Sequence, residues 1–499
     1  MKADRTTIAP EKEINSKRAA LALFAFIFFA RAWLIKVWGS PVPFLDQWDA
    51  EALGLFRPWL DGTLRWSDLF APHNEHRIVL TRLADLALFI VDGNWNPWWQ
   101  LLLNATLHAA TATILLSLFW KETPRHFRPL WLLGLALLFI ALAGWQNALW
   151  GFQSQVYFCS LLSVLALAGL LLGQPFKRNW WLGWTAALLA LFTVGSGLLA
   201  AATALLISAH VLITTLIAQR SSHSPKREQE RRTITPITFT LFAIFALVVA
   251  GWALRVEAPH HATLRAHSVT QFSAVFFRCL SWPWVDSDWL WLVLQAPLLW
   301  FTAKIIWRRS PPQTVEKFIL GLGLLAMLHA AAVAYSRGAG LLDARPLSRY
   351  QDPLLLGVAA NFFLLLKFAA QHRTGRIAAL CWTGIFLAGL LTLTTTNLSL
   401  HLPYKRMQDA ASFTQIRAYL TTHDPAVFHQ QQVLPFVHPN TTVVQRILDD
   451  PQLQPRLPRE FSDAAIRPPW LIEFSPWFTL LSGIGLLLTA INYSRTVKT

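Results

Sequence analysis

Cysteine is nearly absent. Cys159, Cys279 and Cys381 are the whole complement of a 499-residue chain, each in an apolar stretch, which excludes a disulfide framework and a multi-cysteine metal centre. Charge is scarce as well, at 14% of residues, and acids are the scarcer sign, 27 against 43 Lys and Arg. No Gly-rich phosphate loop, dinucleotide fingerprint or Gly-x-Ser-x-Gly elbow occurs, so neither a nucleotide-using soluble module nor an α/β-hydrolase nucleophile is expected. Sustained period-2 alternation is also missing, which argues against a transmembrane barrel. No basic stripe with interleaved aromatics lies on a soluble stretch, so the net charge of +16 is not read as a nucleic-acid footprint.

What the chain does have is apolar residues, 54% of the total, in runs of bilayer length that recur from end to end. This composition predicts an all-α polytopic membrane protein with about twelve transmembrane helices. The expected spans are 19–38, 97–120, 129–146, 155–173, 180–195, 197–218, 235–254, 286–307, 317–335, 353–372, 377–396 and 470–493. The first run lacks a small-residue cleavage site and is read as an anchor. Val194-Gly195-Ser196-Gly197 is either a tight turn or a break in a longer helix.

Loop charge sets the expected orientation. With both termini in the cytoplasm, the inward connections carry Lys121, Arg125 and Arg128, then Lys177 and Arg178, Arg220 to Arg232, Arg308 and Arg309, Arg373 and Arg376, and Arg495 and Lys498. Few acids accompany them, the positive-inside pattern. The outward segments are then 39–96, 147–154, 255–285, 336–352 and 397–469. Within the first of these, Ala50 to Leu60 and Ile78 to Val91 are too short and mixed to span, and read as helices lying flat at the interface. The expected organisation is a polytopic catalytic region over 1–396, an outward segment over 397–469, and a last helix and tail over 470–499.

Polar clusters concentrate in the outward segments, where ionisable groups beside lipid are costly and point to function. Asp46-Gln47-Trp48-Asp49-Ala50-Glu51 follows the first span directly. A carboxylate there suits a general base acting on a hydroxyl. Capping of a helix at Ala50 would account for Asp49 but poorly for Asp46. His73-Asn74-Glu75-His76-Arg77 offers contacts to sugar hydroxyls or phosphate. A divalent metal is possible there, although the spacing is not that of a helical zinc pair, and no metal ligand is assigned. Arg337, Arg345, Arg349 and Tyr350 lie in one outward turn. Guanidinium groups there suit bidentate grip of a phosphate, against a bland alternative of snorkelling to lipid headgroups. Asn147 and Gln153 could hydrogen-bond a sugar, and Arg255, His260, His261, Arg265 and His267 add polar groups in another outward loop.

An outward acid in the first loop, flat helices between the first two spans, and arginines in a later outward turn together resemble the GT-C superfamily of membrane glycosyltransferases. That superfamily includes protein O-mannosyltransferases and aminoarabinose transferases. The resemblance covers the first hundred residues and, beyond them, general topology. It implies an inverting enzyme that moves a sugar from a polyprenyl-phosphate donor to an acceptor hydroxyl of a glycan, lipid or protein, at the outer face of a bacterial inner membrane; no cofactor is assigned, and a divalent metal stays open. Asp46 then takes the place of the catalytic aspartate, Asp49 that of a second acid, and Arg349 that of an arginine holding donor phosphate. The chain departs from the usual adjacent acids by carrying Asp-x-x-Asp, which leaves open which acid is the base. An O-antigen polymerase or ligase type enzyme, relying on later arginines and histidines, is the alternative. A transporter or flippase of a lipid-linked sugar ranks third, because charge within the spans is sparse.

Overall fold

The computed structural model describes residues 10–221, 227–308, 310–341, 346–429 and 434–495. Lys226, Arg309, Arg345 and Lys498 therefore lie outside the described residues. Among those described there is no strand, only an isolated bridge between His73 and His76. Ten helices among the described residues are long and apolar enough to cross a membrane, an architecture compatible with a polytopic helical membrane protein.

Two of the expected spans are corrected. The one at 180–195 closes early as the 13-residue helix Arg178–Ala190, which at 1.5 Å per residue rises roughly 20 Å against a hydrocarbon core of about 30 Å. The one at 286–307 is split into Trp291–Leu294 and Ala296–Arg308. Pro297 has no N–H to continue the first helix, and side chains take over the freed groups at the break. Leu298 N donates to Asn361 Oδ1 (3.0 Å), Asn361 Nδ2 to Gln295 Oε1 (2.9 Å), and Trp382 Nε1 to Leu294 O (3.1 Å).

Gly195–Gly197 forms a tight turn between Arg178–Ala190 and Leu198–Ser221, one of the two readings left open for that stretch. The expected helix 129–146 also breaks, ending at Ile140 and resuming as the short helix Trp145–Ala148. Arg31, inside the first span and only 2% exposed, receives the broken end. It donates to Phe139 O (2.8 Å) and Ala141 O (3.2 Å), and its Nη2 lies 3.0 Å from His108 Nε2.

The first span packs against Pro97–Trp120 and against Ser475–Arg495, so the two ends of the chain share one side of the bundle. Where Gly169 and Gly183 meet, any side chain on either would collide with the other's backbone, and the two helices approach as closely as glycine allows. Aromatic rings fill the centre, Phe119 lying 4.2 Å from Phe363 and 5.6 Å from Trp131 between ring centroids.

The expected boundary at 396/397 falls inside a continuous helical run, Arg373–Thr422, of 50 residues. Its rise of roughly 75 Å exceeds any bilayer, so its far half stands clear of the membrane and carries the following segment with it. That segment folds onto the first loop. Ile416, Tyr419, Val437, Val444, Ile447 and Leu448 share a core with Trp48, Phe56, Phe89 and Trp95. The first loop itself contains helices at Gln47–Phe56, Arg57–Leu60 and Val79–Asp92, where flat helices were expected. All five segments read as outward thus meet at a single, loop-rich end.

Candidate functional site

Asp46 stands at the start of Gln47–Phe56, and the preceding residue is the unusual one. Leu45 has φ +45°, the left-handed region that a leucine enters only when its surroundings force it. Gln47 and Trp48 turn inward from this point. Trp48, with 0% exposure, donates from Nε1 to Pro43 O (2.9 Å), while Phe44 N donates to Gln47 Oε1 (3.0 Å). Asp46 and Asp49, three residues apart, are left together on the open face. Their side chains are 38% and 51% exposed. Asp49 does not cap the helix: it lies within its first turn, 2.9 Å from His438 Nε2. Beneath them, Ala50, Ile78, Trp150 and Phe152 form a small apolar floor.

His73 through His76 close a tight turn, His73 N donating to His76 O (2.8 Å) and His76 N to His73 O (2.9 Å). Asn74 takes the left-handed position at φ +50°, which asparagine tolerates better than most residues. The turn fans its side chains in different directions. His73 Nε2 faces Asp46 Oδ2 at 3.4 Å, and Asn74 Oδ1 lies 3.1 Å from His260 Nε2. Glu75 receives His261 Nδ1 (2.6 Å) and Arg337 Nη1 (3.1 Å). Burial alone would raise the Glu75 carboxyl, but His261 and Arg337 together hold it down at about 2, so it is ionised throughout the physiological range. His76 Nδ1 instead accepts from Gly195 N (3.0 Å), and packing around the ring pushes it down to about 4, so it stays neutral.

Arg337 continues the line: its Nε donates to Tyr350 Oη (3.2 Å). Arg349 lies over the Tyr350 ring, 5.3 Å from its centroid, and its guanidinium makes no hydrogen bond or ion pair with the other described residues. Arg337 is committed to Glu75, whereas among the described residues the Arg349 guanidinium meets only the Tyr350 ring.

Other residues expected to bind substrate serve the scaffold. Arg77 is spent on Leu254 O (3.1 Å) and Phe70 O (2.8 Å). Asn147, fully buried, ties its loop to Arg349 O (3.0 Å) and Asp352 Oδ2 (2.8 Å), and Gln153 is buried at 5% exposure. Arg345 lies outside the described residues.

Glu51, also expected at the substrate, is instead closed inside the first loop at 1% exposure. Its Oε2 accepts from Trp95 Nε1 (2.8 Å), Gln100 Nε2 (2.8 Å) and Gln47 Nε2 (3.3 Å), while Gln100 Nε2 also donates to Asp85 Oδ1 (3.0 Å). Two buried carboxylates thus share one amide. Burial raises Glu51 to about 7, and burial plus the neighbouring Glu51 raises Asp85 well above its ordinary value. A carboxyl that binds its proton more tightly folded than unfolded stabilises the fold below its ordinary pKa of 4.5 and loses that contribution as pH climbs through about 7. Thermal unfolding in detergent is therefore expected to show the midpoint falling between those pH values. Glu51→Gln should flatten that slope and raise the midpoint at pH 8 more than at pH 5, whereas an unchanged slope would mean the proton resides elsewhere.

Sequence reasoning missed His438, Asp85, Gln100 and Arg31. A signal for Asp85 did exist, since it lies on the apolar face of Val79–Asp92 with Val79, Leu86 and Phe89, where a charge has no reason to be unless it is paired. His438 had none, being distant in sequence and in an irregular segment. Among the described residues, no group of three or more His, Cys, Asp and Glu side chains is disposed to hold a metal ion. The chain matches no protein-family model and no curated protein.

Proposed function

We propose that the protein is an inverting glycosyltransferase that moves a sugar from a polyprenyl-phosphate donor to an acceptor hydroxyl at the outer face of the membrane. The observation that carries this reading is the convergence, at one end of the bundle, of a solvent-open first-loop carboxylate with arginines from the turn near 337–350. Asp46 takes the proton of the acceptor hydroxyl as the new C1–O bond forms from the face opposite the phosphate. The old C1–O bond to phosphate breaks, and the departing polyprenyl phosphate is met by the positive charge of Arg349, with Arg337 behind it. A phosphate ester of this kind needs neutralisation more than protonation, so no acid is required on its side.

The lipid half of the donor finds support in an apolar cavity of about 570 Å³ lined by Leu292, Ala296, Trp300, Phe368, Ala378 and Ile385, among others. Its lining runs from Phe368 and Ala378, beside the turn at Arg373, to Ile385, whose O accepts from Trp284 Nε1 (2.9 Å). Trp282 Nε1 in turn donates to Gln351 Oε1 (2.9 Å), two residues from Arg349. Filling it with Ala296→Trp or Ala378→Trp is expected to raise KM for long-chain donors while sparing a short-chain analogue. Equal effects on both would remove the cavity from the donor path.

The deciding experiment is reconstitution in proteoliposomes with a panel of polyprenyl-phosphate sugars, following donor consumption and product anomer for wild type and Asp46→Asn. Consumption by wild type only, with inversion, supports the reading. Transfer insensitive to Asp46→Asn would favour a polymerase or ligase type reaction run by the later arginines and histidines. Translocation of the lipid-linked sugar with no new glycosidic bond would favour a transporter.

A further inference from the structure

The polar side chains of the site are joined by a succession of contacts. Beginning in the late segment, His438 Nε2 meets Asp49 Oδ2 at 2.9 Å. Asp46 comes three residues earlier on the same face, with His73 at 3.4 Å. The turn then continues through Asn74 to His260, and through Glu75 to Arg337, Tyr350 and Arg349. A base that joins two substrates has to stand between them. With the phosphate of the donor at the arginine end and Asp46 in the middle, the remaining side is the one bounded by Asp49 and His438.

From this order we propose that the acceptor hydroxyl enters beside residues 434–440, and that His438 is a positioning residue that holds Asp49 to receive it. The inference rests on the transferase reading above. His438 is 5% exposed although its partner Asp49 is open, so the ring is fixed while the other carboxylate oxygen has no hydrogen bond from the described residues. The ring is oriented from behind as well, its Nδ1 lying 2.9 Å from Asn440 O and 3.2 Å from Asn440 N, at the cap of helix Thr441–Leu448. With Nδ1 accepting from Asn440 N, Nε2 carries the proton that Asp49 accepts.

The same segment clamps the strained backbone ahead of the acids. Leu45 N donates to Val437 O (3.1 Å), and Val437 N donates to Ser412 Oγ (3.2 Å) on the long helix. Lys405, one helix turn from its ion-pair partner Asp409, lies 5.6 Å from the centre of the Phe44 ring. Residues 434–440 therefore touch the Phe44–Asp49 stretch both through its backbone and through a carboxylate, and the outward segment is part of the site rather than an appended domain.

The test uses the full chain in proteoliposomes with a polyprenyl-phosphate sugar, octyl glycosides as acceptor probes, and water as the acceptor in their absence. His438→Ala is expected to slow transfer to the octyl glycoside about 10²-fold, the scale of a misplaced reacting group, while donor hydrolysis by water changes less than about threefold. His438→Gln, whose amide can still donate to Asp49, is expected to restore most of the loss. Combining His438→Ala with Asp49→Asn should cost no more than either change alone. Equal loss of transfer and hydrolysis, or no loss of either, overturns the proposal. A wild type that consumes no donor at all sinks the transferase reading instead. The His438 contact is then judged by the ring nitrogen resonance of Nε2, which should move in Asp49→Asn and stay put in Asp46→Asn.

Discussion

Asp46→Asn is expected to reduce sugar transfer by about 10²- to 10⁴-fold, the contribution of a positioned general base, with little change in donor KM. The asparagine is isosteric and keeps the geometry, so what is lost is the ability to take a proton. Stability should hardly move, because the Asp46 side chain is 38% exposed and its pairing with His73 at 3.4 Å is of the solvent-screened kind, worth less than about 1 kcal/mol. The contrast between a collapsed turnover and an intact melting curve is what separates a base from a structural acid. An equal loss in Asp49→Asn would assign the chemistry to the pair, whereas loss only in Asp49→Asn would exchange their roles.

Arg31→Leu is expected to act in the opposite sense, destabilising the protein by about 3–5 kcal/mol, the scale of breaking one side of a buried charged network. Leucine is the better residue for a bilayer-length helix in isolation, so a reading from hydropathy alone would forecast a gain. The loss follows from what Arg31 holds. The carbonyl of Ala141, freed where the helix Arg128–Ile140 stops, would lose its Arg31 donor, and that of Phe139 would be left with His108 Nε2 (2.9 Å) alone. Unpaired buried groups cost about 1–3 kcal/mol each. Asp352, 5% exposed and within the electrostatic reach of Arg31, would lose that compensation too. Because Asp352 also receives Asn147 Nδ2, the damage should spread to the 147–154 and 348–352 loops that bracket Arg349. Equilibrium unfolding in mixed micelles measures it, and a change under about 1 kcal/mol would mean that water or a neighbouring donor replaces the guanidinium.

Lipid chemistry made much of the architecture legible in the residues. A span has to be long, apolar and internally hydrogen-bonded, so hydropathy located the ten long apolar helices among the described residues, and the first loop does contain short helices where they were expected. It overcounted where local packing intervened. Arg178–Ala190 stops because the chain turns at Gly195–Gly197, and 286–307 divides at Pro297 once Asn361 is there to satisfy the break. Of the expected site residues, the structure brings Asp46, Asp49, His73, Glu75, Arg337, Arg349 and Tyr350 to one end, where the chain of contacts runs between them. Glu51 went the other way because a residue's type says nothing of which side of a helix it occupies. On Gln47–Phe56 the inward side already held Gln47 and Trp48, and Glu51 follows them.

By itself the sequence determined the solvent this chain lives in, the class of its fold and the segments where polar groups must gather, because each follows from composition and period along a single stretch. Which of those groups face each other was decided by tertiary structure alone. The meeting of Asp49 with His438 spans 389 positions, and that of Arg337 with Glu75 spans 262. Partnerships at that separation depend on how helices pack, and no local pattern encodes them.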